Sequence, residues 1–280
     1  MKAKESNPVS LMEPRFLKHL LRMVYHAPAL KGLLKNIPLI RNIYPQERTH
    51  PIDVLYGIDT SGVVPVEYIH PDRSLTARIM PYLGSDPGVI RGALAALGNI
   101  HDYNLVDLGC GKGRAVVVGS EFPFRAITGI ELSTKLANTA RKNAAVVART
   151  FPNRPGITIH EANVAEFQLP KGKLVLFLYH SFGRELLAQL LTTLESSLRS
   201  KGAHLFFVYN NPVCGDILDA SSAFTRWYAD MVPRDSKEGL SGHDAVVIWQ
   251  SVAGARPPPH QRINRHIIVT DPKWRADLEA

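Results

Sequence analysis

The sequence predicts an α/β fold, a doubly wound and mostly parallel sheet behind a helical N-terminal extension. Three observations carry this. From about residue 88 to residue 252, apolar runs of strand length alternate with helical patterns, the order that right-handed crossovers convert into a parallel sheet. The runs are continuously apolar, as befits strands covered by helices on both faces. The first of them passes directly into a glycine-rich turn and a helix start, VDLGCGKGR.

The elements come in order along the chain. Residues 11–25 place Leu17, Leu20, Leu21 and Val24 at i, i+3, i+4 and i+7, one face of a helix. Pro28 and Pro38 divide the stretch up to residue 44 into short helices joined by turns. Residues 1–44 therefore read as a basic helical extension. Lys18 and Arg22 flank its apolar stripe, which packs on the main domain or lies on a membrane surface. Residues 45–87 are rich in turn formers and hold YGIDTSGVVPVEYI; they read as an irregular collar or lid. GVIRGALAALGN is a short amphipathic helix, YNLVDLG the first buried strand, RAVVVGSEF a helix and RAITGIEL the second strand. STKLANTARKNAAVVART is a long helix with Ser133 as its N-cap. ITIHEA, KLVLFLYH and AHLFFVYN are the next three strands, with the helix RELLAQLLTTLESSLRS before the last of them, and DAVVIWQSV is a late strand. The main domain is thus 88–253. The tail 254–280 carries Pro257, Pro258 and Pro259 and reads as a linker with a loosely attached end.

Composition bounds the function. Of 280 residues, 45% are hydrophobic and 21% charged, ordinary for a soluble globular protein. Cys110 and Cys214 are too few for a disulfide framework, so a reducing compartment is expected, the cytoplasm being the simplest. No uncharged apolar run of about 18 residues predicts a spanning helix. MKAKESNPVS has no apolar core after its lysines, unlike a secretory signal. The formal charge is +8, and residues 1–50 supply nine basic against three acidic side chains, or +6. Such a segment suits an acidic partner (nucleic acid, an acidic protein or a lipid surface) or is a solvated basic face. No aromatic-interleaved nucleic-acid patch accompanies it. The eleven histidines and two cysteines show no clustered ligand spacing, so no metal is expected. There is no P-loop and no G-x-S-x-G elbow.

The informative segment is Asp107-Leu108-Gly109-Cys110-Gly111-Lys112-Gly113. Its spacing is G-x-G-x-G, not the G-x-G-x-x-G that seats a dinucleotide pyrophosphate. A carboxylate at Asp107 would repel a pyrophosphate and suit a ligand with an ammonium group and no phosphate. Both points argue against a nicotinamide-dependent oxidoreductase. The second strand ends in Glu131, where an acidic side chain accepts ribose hydroxyls in nucleoside-binding sheets. The plainer alternative is a structural turn and a surface glutamate.

VDLGCGKGR followed by ITGIELS resembles motif I and the acidic loop of class I S-adenosylmethionine (SAM)-dependent methyltransferases, over roughly residues 85–252. The resemblance implies a Rossmann-like sheet of the class I methyltransferase type, SAM as cofactor, and methyl transfer to an N or O nucleophile of a small-molecule or protein acceptor. A non-catalytic binding module on the same fold is the alternative. By the same resemblance, Asp107, Gly109, Cys110, Gly111 and Gly113 border the methionine part of SAM and Glu131 binds its ribose. Asn163, in HEANVAEF, stands where the family usually has an acidic or amide residue near the adenine. The wider pattern from YGIDTSG to FLYHSFG resembles a little-described bacterial branch whose fourth strand often ends in Tyr-Asn-Pro-Phe. A more distant likeness is to the non-SET histone lysine methyltransferases, which also place a collar before motif I.

The fourth strand delivers Tyr179-His180-Ser181-Phe182-Gly183 to the same crevice. Amino-methylating relatives carry Asn/Asp-Pro-Pro-Tyr there; this chain has His180 and Ser181 in place of the Asn and Pro. His180 is the candidate general base, since its pKa lies near neutrality, or else a hydrogen-bonded strand-end histidine. Tyr179 and Phe182 are candidate walls for a sulfonium and its acceptor. The hydroxyls of Asp59-Thr60-Ser61-Gly62 and Ser85-Asp86-Pro87 either meet the SAM carboxylate or make turns. Asn210-Asn211-Pro212 reads as a turn. In-line displacement on an activated carbon needs chiefly positioning, so the lack of an acid–base pair does not count against this chemistry.

Overall fold

A computed structural model describes residues 49–201, 204–235, 242–257 and 267. The chain divides between Arg48 and Thr49. The helical extension expected at 1–44 and most of the tail lie outside the described residues.

Seven strands form one sheet: β1 (Tyr103–Leu108), β2 (Ala126–Glu131), β3 (Ile157–Glu161), β4 (Lys173–Leu178), β5 (Leu205–Asn210), β6 (Phe224–Pro233) and β7 (His243–Ser251). Their order is β3-β2-β1-β4-β5-β7-β6. The pairs among β1 to β5 are parallel, while β7 runs antiparallel to both β5 and β6. This is the Rossmann-like, mostly parallel sheet that the alternating pattern predicts. β1 lies within it between β2 and β4, so the loop after β1 opens where chain order reverses, the place where such sheets hold ligands.

Strand alternation divides the core. Leu105, Val175, Phe177, Phe206 and Val208 face one way, against α3 (Pro87–Ala96), α4 (Arg114–Gly119) and α5 (Thr134–Thr150). Val106, Leu176, Leu178, Phe207 and Tyr209 face the other, against α6 (Arg184–Lys201) and α7 (Gly215–Ala220). Leu187, Leu190, Leu191 and Leu194 of α6 are all buried, each contributing about 1.5–3 kcal/mol. Both cysteines are buried free thiols. No helix of the described residues is long and apolar enough to cross a membrane.

Three elements depart from the sequence expectation. β6 is an unanticipated edge strand; among the described residues it pairs only with β7, and it mixes buried Trp227, Tyr228 and Ala229 with half-exposed Arg226 and Asp230. Ser133 stands at the N-cap of α5 without a side-chain cap bond. The segment 49–87, read as irregular, also contains short helices. It holds α1 (Pro51–Tyr56), capped by the His50 ring accepting from the Ile52 N–H at 3.0 Å, a 3-10 turn Val66–Tyr68, and α2 (Arg73–Thr76). An extended stretch then bridges Tyr82 to Val64 and Ile79 to Phe182. The tail begins tied down as well: the Arg256 N–H donates to Gln250 Oε1 at 2.9 Å and Trp227 Nε1–H to the Pro257 carbonyl at 3.0 Å.

Candidate functional site

The glycine loop closes a cavity at the carboxyl ends of β1, β2 and β4, roofed by residues 79–85 of the collar. The N–H groups of Gly109 and Cys110 donate to the Ile130 carbonyl at 2.9 Å each, so the loop curls back over β2. Gly109 (φ 80°) and Gly111 (φ 56°) sit in the left-handed region, which side chains resist. Both are also crowded. A Cβ on Gly109 would lie 2.6 Å from Ser181 Cβ, and one on Gly111 would lie 2.2 Å from the Tyr82 ring.

Asp107 lines the cavity at 4% exposure. Among the described residues its carboxylate has no hydrogen-bond or ion-pair partner. Burial first, and the neighbouring Glu131 second, push its pKa up to about 8. Glu131 also lines the cavity; Oε2 accepts from the Gly111 N–H and Oε1 from the Ser133 N–H, both at 2.8 Å. Burial raises its pKa although those N–H groups pull the other way. Cys110 and Asn163 line the wall too. Burial pushes the Cys110 thiol up. The Asn163 carboxamide donates to Glu166 Oε1 at 3.0 Å and accepts from the Ala165 N–H at 3.1 Å. Gly113 does not line the cavity; it starts α4 against Ala140 of α5.

Tyr179, Ser181 and Phe182 reach the cavity from the end of β4, but His180 is not among the lining residues. His180 is 5% exposed and shares a hydrogen bond between Nδ1 and the Tyr209 hydroxyl at 2.9 Å. His180 lies just past the end of β4 with a left-handed backbone, φ 41°, and its ring meets Tyr209 on the α6 side. The structure therefore groups Asp107, Glu131, Gly109, Gly111 and Tyr179 and sets the candidate base apart from them.

Arg114 is the residue that sequence reasoning missed. It is 7% exposed, lines the cavity, and comes directly after the glycine loop. Its Nε–H donates to Thr60 Oγ1 at 2.8 Å and its Nη2 to the Thr60 carbonyl at 2.9 Å, with longer bonds to the Gly84 and Ser85 carbonyls. Thr60 in turn donates from N–H and hydroxyl to buried Asp53, as does the Ser61 hydroxyl. So the Thr60 and Ser61 hydroxyls brace the collar instead of entering the cavity. Lys112 Nζ donates to Asp59 at 2.7 Å and to the Ser61 carbonyl at 2.6 Å, and Asn143 ties the Asp59 backbone to α5. The available signal was one charged residue opening an otherwise apolar helix, RAVVVG.

No protein-family model and no curated protein matches the chain. Many solved structures do. Ribosomal protein L11 methylase from Lactobacillus delbrueckii subsp. bulgaricus aligns at 17% identity over 57% of this chain and 75% of that one, with a TM-score of 0.38. TrmN from Thermus thermophilus aligns at 15% identity over 59% of this chain and 49% of that one, with a TM-score of 0.42. Magnesium protoporphyrin IX methyltransferase from Synechocystis PCC 6803, crystallised with bound SAM, aligns at 13% identity over 84% of this chain and 96% of that one, with a TM-score of 0.42.

Proposed function

We propose that this chain is a SAM-dependent methyltransferase acting on an N or O nucleophile. One observation carries the reading: the Asp107 carboxylate is buried in the cavity wall without a partner among the described residues, beside the glycine loop and Glu131. Burying a charge-capable group so is costly unless something pairs with it. An amino-acid ammonium supplies that pair, and a pyrophosphate does not. Each Glu131 oxygen spends one lone pair on a backbone N–H and keeps another for a ribose hydroxyl. Arg114 offers the positive charge that an amino-acid carboxylate requires. Leu132, Ala162, Asn163 and Val164 form the wall for a heteroaromatic ring.

SAM supplies a methyl group already activated on a sulfonium. The chain's own task is to bind, orient and exclude water. Tyr179 and Phe182 wall the β4 side. With His180 engaged by Tyr209, catalysis rests on positioning the nucleophile rather than on a base in the cavity. The basic segment 1–44 is read as a surface for an anionic partner.

Calorimetric titration with SAM, with NADH as control, tests the reading. Micromolar SAM binding without an NADH response is expected. A folded protein that binds no SAM sinks it.

A further inference from the structure

At the carboxyl end of β5, three buried side-chain atoms have no hydrogen-bond partner among the described residues: Oδ1 of Asn210 and both Oδ1 and Nδ2 of Asn211. The two residues are 0% and 2% exposed. Native structures seldom leave buried amide groups unmatched, and those they do leave point to a missing partner. Asn211 also holds a left-handed backbone, φ 53°. Such strain persists where surrounding structure enforces it, and it gathers at ligand sites.

Register says where these groups lie. β4 and β5 pair Leu178 with Tyr209, so one step on Tyr179 stands beside Asn210 and His180 beside Asn211. Alternation puts Asn210 on the face that carries Asp107 and Tyr179. The strand order is β1-β4-β5, and Asp107 pairs with Phe177, two residues before Tyr179 on the same face. Tyr179, which lines the cofactor cavity, stands between that cavity and the orphaned carboxamides.

We propose that Asn210 and Asn211 form the methyl-acceptor subsite, and that it takes an uncharged nitrogen nucleophile with N–H groups, an amine. This rests on the methyltransferase reading. The two orphaned oxygens accept only, so they match a group with more than one N–H, where an alcohol offers a single hydrogen; the orphaned Asn211 Nδ2 donates, and a separate acceptor atom of the same ligand takes it. Neutral carboxamides do not favour an ammonium as carboxylates would, so the amine binds unprotonated and no base is needed beforehand. Held by its N–H groups, the nitrogen keeps its lone pair for the methyl carbon. That pair forms the new N–C bond as the methyl–sulfur bond breaks and leaves its electrons on sulfur. The products are S-adenosylhomocysteine and a methylated ammonium, which sheds a proton to solvent. Tyr179 moves aside so that the bound nitrogen meets the cofactor cavity.

Asn210→Leu and Asn211→Gly test this; glycine keeps the left-handed backbone at the second position. Three quantities are read: melting temperature, SAM Kd, and labelled methyl transfer from SAM to a panel of primary amines and matched alcohols. Expected are an N210L protein that melts above wild type, an N211G protein that melts no lower, and SAM Kd within twofold in both. Wild type labels amines alone, and each variant does so at least tenfold more slowly. A lower melting temperature in both variants makes the asparagines structural and overturns the subsite. Label on alcohols alone, or on no panel member at saturating SAM, overturns the nitrogen assignment. Wild type that fails to bind SAM fails the methyltransferase reading instead.

Discussion

Asp107 keeps its proton far above the pH at which a solvated carboxylate loses it, because it is buried beside Glu131. Its folded pKa is about 8, against 3.8 for a solvated aspartate. Across that window the native protein holds a proton that the unfolded chain has shed, so stability falls as pH rises from about 4 to 8. Asp107→Asn removes this titration. Its melting temperature should exceed that of wild type by a margin that widens over the same window; a constant margin would refute the shift. SAM should bind the variant about 1–3 kcal/mol more weakly, the size of a lost charge-assisted hydrogen bond. An ammonium beside Asp107 favours the carboxylate, so SAM binding below pH 8 should expel a proton, seen as a binding enthalpy that depends on the buffer. His180→Ala tests a different balance. It strips the buried Tyr209 hydroxyl of the partner at 2.9 Å and should cost about 1–3 kcal/mol in urea denaturation with SAM affinity spared. At this scale the sequence is informative where chemistry is local. Asp107, the glycines and Glu131 announce themselves by spacing. Arg114 does not, because Thr60, which holds it, is 54 positions away. His180 reads as a cavity residue in sequence and is not among the lining residues, because past the strand end its backbone turns left-handed and its ring meets Tyr209.

The collar shows what elements add. Its extended stretch is bound from both sides: Val64 and Tyr82 exchange N–H···O bonds at 3.0 and 2.9 Å, and the Met80 N–H donates to the Ser181 carbonyl at 3.0 Å. A loose lid would exchange these amides rapidly. Hydrogen exchange should instead protect Val64, Met80 and Tyr82 to a degree comparable with β4. Asp53→Ala removes the acceptor of the Thr60 N–H and of the Thr60 and Ser61 hydroxyls. It should lower stability by about 3 kcal/mol or more and weaken SAM binding, because Arg114 loses its brace. Unchanged SAM affinity with lowered stability would show that the collar is structural only. Elements are legible in proportion to their burial. β1, β4 and β5 are nearly all apolar because helices cover both faces. β6 escapes because an edge strand with one partner tolerates Arg226 and Asp230 within it. α1 escapes because it has six residues and exposes Val54 and Leu55 at 73% and 75%, the reverse of an amphipathic signal.

For the whole molecule, charge and cofactor site separate along the chain. Residues 1–44 hold eight basic and two acidic side chains, +6 of the total +8, which leaves +2 for residues 45–280. Among the described residues, the cavity is lined only by those from Ile69 to Leu186. The excess positive charge therefore lies in a segment apart from that lining, while Asp107 and Glu131, which we propose for an amino-acid ammonium and a ribose, belong to the sheet. Deleting residues 1–44 should leave SAM affinity within about twofold, since a lost contact of even about 1.4 kcal/mol would show as tenfold. It should also let the protein elute from a heparin column at markedly lower salt, because the interaction of a polyanion with a basic segment is screened by ions. A truncated protein that keeps its heparin affinity would move the anionic surface onto the sheet domain. One that stays folded but loses SAM affinity would mean that residues before the collar complete the cofactor site.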